Sequence, residues 1–311
     1  MPPITHTLRK LAKLEPWIVL DNDGSFQGHF NFVPLYLRKG PWFVLAPYYL
    51  ALFGFLVAYF KPASFDFPVR LSALNSFWHY FDCACALNGI VVLVLILRQI
   101  GPAPLVTYTM ISWSILTVHN VLSASLPYLP GLVPLLGPLR EFLRFPALVA
   151  ATITFVIWNA VLAPIFYFKF MKTAAAKAGF LTWILSPIMF EIHVFNYPIA
   201  VLSTLGDDST RRPLEYPDLW CALAVAFCYS LFYLLVLDRL GVHLYPVFSP
   251  RTKLCIVFWS AIFVLYYVTF RFWNAAIEEA RIYEGGGITT QILVRVLAKT
   301  GGFHHDAGSI V

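Results

Sequence analysis

The sequence predicts an all-α, polytopic transmembrane bundle, and three observations carry that expectation. Hydrophobic residues make up 59% of the chain and charged residues 12%, whereas an ordinary soluble domain is about 25% charged. Mean hydropathy is +0.71. The apolar residues gather in long continuous runs without alternation, which selects membrane helices over the strands of a membrane barrel.

In chain order, residues 1–42 form an aromatic, partly basic arm with a turn at Asp21 to Gly24, expected to lie in the headgroup region through Trp17, Phe32, Tyr36 and Trp42. Arg9, Lys10 and Lys13 are followed by neither an apolar core of signal-peptide length nor a small-residue cleavage site, so the first span is expected to act as the membrane signal. Runs at 43–60, 76–97, 145–168, 179–203, 218–237 and 254–273 each approach the roughly 17–25 residues that cross a bilayer core as helix. They form a bundle over 43–275, interrupted by an insert at 100–140. Within the insert, Leu105 to Leu136 reads as a helix to about Leu126, then a return broken by Pro127, Pro130, Gly131 and Pro134. The expectation is six spans plus a Pro-broken insert that is either re-entrant or an extra helix; the distribution of loop Lys and Arg leans towards the re-entrant form, with both termini on one side of the membrane. Residues 276–311 read as a tail, with an amphipathic piece at Ile288 to Lys299 and a final stretch carrying His304 and His305.

The net charge of +6 is spread over several loops, which suits headgroup anchoring and offers no nucleic-acid patch. Five cysteines without a CxxC spacing suggest small apolar fillers rather than a zinc site or disulfide framework. Endoplasmic reticulum, plasma membrane and mitochondrial inner membrane all accept this composition.

The chemistry-bearing residues centre on Asp82, an acid inside an apolar run. A carboxylate at mid-bilayer costs at least about 2.5 kcal/mol, so it is expected to face the bundle interior and pair there. His79 lies three residues earlier, on the same helical face. Glu191 and His193 in the fourth span are the expected partners, with Asn196 and Trp158 completing a polar pocket. A haem on His79, His119 and His193, or a metal at His79, Asp82, Glu191 and His193, uses suitable ligand types. Neither has a repeated ligand spacing, so no cofactor is expected.

Several segments carry a resemblance. His193-Val194-Phe195-Asn196-Tyr197-Pro198, Arg211-Arg212-Pro213 and Gly241-Val242-His243-Leu244-Tyr245-Pro246-Val247-Phe248 follow a pattern of H-x4-P in a fourth span, a short basic loop, and G-x-W-x-Y-P after a fifth. Phe145-Pro146 with Trp158 matches a third span, and Phe77-Trp78-His79-Tyr80-Phe81-Asp82 matches a W-K-[FY]-L-T motif opening a second. Over roughly 43–275 the chain thus resembles the androgen-induced family of six-span membrane proteins. The resemblance implies a threonine hydrolase of fatty acid esters of hydroxy fatty acids, with the motif threonine as nucleophile and the fourth-span histidine as its base. His193 takes the histidine's place, but Asp82 stands where the threonine belongs. A carboxylate has no hydroxyl to attack with, so a degenerate Asp82/His193 pair is expected, in a lipid-binding accessory or structural subunit of a membrane complex. The alternative is an active hydrolase in which Asp82 and His193 activate water. The expected partners are membrane lipids or fatty acyl chains, within an acyl-sized cavity between spans two, three and four, together with other subunits of a complex.

Overall fold

The computed structural model describes residues 34 to 282, apart from Asp66, Asp208 and Ser209. Among the described residues all regular structure is helical, and six helices are long and apolar enough to cross a membrane. The protein is an all-α multi-pass bundle. Most of the aromatic arm and the tail, including Trp17, Phe32, the 288–299 piece and His304/His305, lie outside the described residues.

After one helical turn at Leu35–Arg38, α1 spans Trp42–Tyr59, α2 Phe77–Gln99, α3 Tyr108–Ser125 and α4 Val133–Ile157. Helix α4 runs on through π turns at Trp158–Leu162 and Phe166–Phe170. Next come α5 (Ala174–Ile184) and α6 (Pro187–Leu205, with a π turn at Glu191–Phe195). Helix α7 (Tyr216–Phe232) ends in a π turn at Tyr233–Leu237, and α8 covers Leu254–Ile282. Side-chain oxygens start three of these helices: Ser76 accepts from His79 N, Thr107 from Met110 N and Thr173 from Ala176 N. The expected fourth span, 179–203, is broken before Pro187, because a residue preceding proline is pushed away from helical backbone. The third starts earlier than expected, at 133 rather than 145.

The insert is the largest departure from expectation. Helix α3 runs the length of its neighbours: Met110 packs with Val92 and Ile96 of α2, and at its other end Ser123 accepts a hydrogen bond from Arg140 of α4 at 2.9 Å. The three-ten turns at Leu126–Tyr128 and Pro130–Leu132 then reverse the chain. Helix α3 therefore does not re-enter. Counting it, seven helices alternate in direction, and the start of α1 and the end of α8 stand at opposite ends of the bundle. Ser112, Thr117, His119, Asn120 and Ser123 dilute the hydropathy of this helix, which is largely buried among its neighbours.

The α2–α3 seam depends on Gly89. Its carbonyl accepts from Trp113 Nε1 at 3.3 Å, and a Cβ there would stand 2.5 Å from Thr117 Oγ1 and 2.7 Å from its Cγ2. Gly89→Val is expected to push the two helices apart and destabilise the protein by about 1–3 kcal/mol, read as a lower melting temperature in detergent. A melting temperature equal to wild type would show that the seam has room to spare.

Candidate functional site

The expected pair is not formed. His193 shares its Nδ1 hydrogen with the Met189 carbonyl at 3.0 Å and lies flat on the Trp158 ring, centroids 3.9 Å apart. Asp82 is also buried, in the first turns of α2. Glu191, two residues before His193, accepts a bond from Asn88 of α2, six residues after Asp82, yet among the described residues no hydrogen bond or ion pair joins Asp82 and His193. Two residues apart on α6, Glu191 faces Asn88 of α2 while the His193 imidazole faces Trp158 of α4.

The other expected pocket residues are dispersed too. His79 Nε2 meets Tyr128 Oη at 3.0 Å, and no hydrogen bond joins it to Asp82. Glu191 accepts from Asn88 Nδ2 at 3.1 Å. Asn196 is fully buried, with neither amide atom partnered. No group of three or more His, Cys, Asp or Glu is placed to hold a metal among the described residues.

Near the Asp82 end, the structure assembles a buried charge cluster that sequence reading passed over. Arg212 forms two bonds to Asp218, both 2.7 Å, and a third to Glu141 at 3.2 Å. Arg140 pairs with Glu141 and also donates to Ser123 Oγ and to the Arg70 carbonyl. Asp218 accepts from Glu215 N at 2.8 Å and closes a capping box on α7. Burial works against the Arg212 charge, but Asp218 and Glu141 outweigh it and hold its pKa above the ordinary arginine value. Among the described residues Arg144 has only carbonyl partners, Thr204 O and Arg212 O, both at 3.3 Å. Both oxygens of Glu141 and of Asp218 are taken by arginine, so neither acid is left to serve as a base. The cluster ties the 206–215 loop to α4 and α7. Its signal was Arg140, Glu141 and Arg144 entering an apolar run, hidden because they fall at the boundary between the expected insert (100–140) and the expected third span (145–168).

A second cluster stands at the other end. Asp238 Oδ1 accepts from Ser249 Oγ at 2.6 Å and faces His243 Nδ1 at 3.3 Å, while Oδ2 accepts from Trp42 Nε1 at 2.7 Å and Arg251 Nε at 3.2 Å. Burial raises the Asp238 pKa, yet His243, Arg251 and Ser249 together bring it below the usual carboxylate value. These are the residue types of a serine triad in the wrong order. In a nucleophilic triad the imidazole stands between acid and hydroxyl, whereas here the Ser249 hydroxyl donates directly to Asp238. The cluster fastens the start of α1 to the loop after α7.

Between the two clusters, and closer to the second, lies an apolar cavity of about 290 Å³, near the lower end of the roughly 300–1,000 Å³ of ligand pockets. Its walls come from α4, α7, α8, the start of α3 and the loop at 245–248, and no charged side chain lines it. Two lining stretches belong to the π turns that begin at Trp158 and Tyr233; such widened turns recur at functional sites. Val161 and Phe258 line it and are also exposed on the outside of the bundle, at 39% and 37%, so the cavity opens sideways between α4 and α8. Helix α3 packs against both α2 and α4, the second and third of the spans between which a cavity was expected. Of the six residues expected at the site, Trp158 alone lines this cavity. No family model, curated protein or solved structure matches the chain.

Proposed function

We propose that this multi-pass membrane protein binds the apolar chain of a membrane lipid in the cavity between α4, α7 and α8, as a lipid-binding accessory protein and not as an ester hydrolase. The lateral mouth at Val161 and Phe258 carries this reading, because a hydrocarbon chain reaches it from the bilayer without passing through water. The reading keeps the chain as a divergent relative of the androgen-induced family. His193, stacked on Trp158 and bonded to the Met189 carbonyl, has no acid or hydroxyl partner among the described residues with which to run that family's chemistry.

A photoactivatable fatty acyl probe, added to the purified full-length protein in mild detergent, is expected to label peptides from 153–162, 226–233 and 258–265. Ala261 is exposed and lines the mouth, so Ala261→Phe adds a ring there without crowding the core. It is expected to cut labelling by about tenfold, the loss of roughly 1.4 kcal/mol of binding, with little change in melting temperature. Labelling spread evenly over the lipid-facing helices, or unchanged by Ala261→Phe, would remove the basis of the proposal.

A further inference from the structure

We infer that the end of the bundle at which α1 begins binds anionic phospholipid headgroups, on a basic surface made where residues 37–42 meet the 249–253 loop. The positive charge is scattered in sequence, and the fold gathers it. Lys253 N donates to Leu37 O at 2.9 Å, Thr252 Oγ1 to the same carbonyl at 2.8 Å, and Gly40 N to Arg251 O at 2.8 Å. The two strands of chain lie so close that a Cβ on Gly40 would stand 2.4 Å from Pro250 O. Arg38, Lys39, Arg251 and Lys253 are thereby set on one joint, and the Arg239 guanidinium is held beside them over the Trp42 ring, 4.2 Å from its centroid. All five are exposed or part-exposed. Among the described residues the acid of this joint is Asp238, which is fully buried with both oxygens engaged. Residues 1–33 hold three basic and three acidic side chains, so they bring no net charge.

The opposite end is of another kind. Arg140, Arg144, Arg211 and Arg212 are buried there. Its exposed cations among the described residues, Lys61, Arg70 and Arg271, stand with four exposed or part-exposed acids, Asp207, Glu215, Glu278 and Glu279. Attraction for an anionic surface therefore belongs to the α1 end. A lipid is the occupant that suits it, because Leu35, Tyr36, Phe43 and Val44 are all exposed next to the cations. Aromatic and apolar side chains bordered by lysine and arginine match the depth at which acyl chains give way to headgroups, whereas a soluble anion has no use for the apolar part. Arg251 already serves Asp238, so the headgroup charge is assigned chiefly to Arg239 and Lys253.

The test is retention of radiolabelled dioleoylphosphatidylglycerol by the immobilised full-length protein in mild detergent, with unlabelled dioleoylphosphatidylglycerol or dioleoylphosphatidylcholine as competitor. The two lipids carry the same chains, so the comparison reads the headgroup and is blind to the cavity. A cation near a lipid surface is worth about fivefold in affinity, and two of them should make the phosphatidylglycerol about 20-fold the better competitor. Raising sodium chloride from about 0.1 to 1 M shortens the screening length from about 10 to 3 Å and should remove most of that preference. This arm uses the wild-type protein and does not hinge on a variant folding. Arg239→Gln and Lys253→Gln should each cut the preference by about fivefold and together bring it near parity, Lys253→Arg should keep it, and Lys61→Gln at the other end should leave it unmoved. Equal competition by the two lipids, a preference indifferent to salt, or one that falls as far with Lys61→Gln as with Lys253→Gln would each overturn the assignment, and none of these would touch the cavity between α4, α7 and α8.

Discussion

Arg212→Ala is expected to be the most damaging single substitution at either end of the bundle, costing about 3–5 kcal/mol. The guanidinium is 3% exposed and supplies three bonds to two carboxylates, Asp218 and Glu141, that are themselves 1% and 2% exposed. Removing it leaves Asp218 without a cation and Glu141 with Arg140 as its one ionic partner. A total stability of about 5–15 kcal/mol is typical of folded proteins, so the variant should aggregate on detergent extraction or melt at a much lower temperature. Arg212→Lys keeps the charge and loses the planar fork, and should fall between. Replacing Arg212 and Asp218 together with leucine should cost less than Arg212→Ala alone, because the stranded charge is then removed with its partner. Size-exclusion profiles after heating check all three; an Arg212→Ala protein that survives like wild type would mean that water reaches these carboxylates.

Asp238→Ala is expected to cost about 3 kcal/mol, since it deletes charge-assisted bonds and strands one buried and one part-buried donor. Trp42 Nε1 and Ser249 Oγ lose their acceptor, while Arg251, whose side chain is 22% exposed, can turn to water. The start of α1 should loosen first, because the Trp42 bond spans 196 residues of sequence. The same group sets a pH dependence. Its pKa is depressed in the folded protein, below the roughly 3.9 of an unfolded aspartate. The stabilisation is therefore present above about pH 4 and lost as pH falls through the lower folded value. The groups facing it are His243, Arg251, Ser249 and Trp42. Melting temperatures should fall more steeply below pH 4 for wild type than for Asp238→Ala; parallel curves would show that the ionised form of Asp238 is not what holds the joint.

Sequence and fold agree where the cause is local. Residues 43–60, 218–237 and 254–273 are each apolar enough to demand a helix across lipid whatever they pack against, and the structure places helices there within a few residues. The ends of helices were also written locally, by Ser76, Thr107 and Pro187. That Asp82 is buried followed from the cost of an acid in an apolar run. Its surroundings did not follow. Which side chains meet across a bundle depends on each helix's rotation and register, and in α6 it is Glu191 that meets α2 while His193 meets Trp158.

By itself the sequence determined an all-helical membrane bundle, its main apolar segments and the need to shelter a few charges, because the transfer cost of each segment is a sum over its own residues. Only tertiary structure decided that α3 fills the space beside α2, that Arg140, Glu141, Arg212 and Asp218 shelter one another, and that a cavity opens between α4 and α8. Those outcomes come from packing between segments far apart in the chain, where a missing Cβ at Gly89 or an added residue in a π turn changes which surfaces touch.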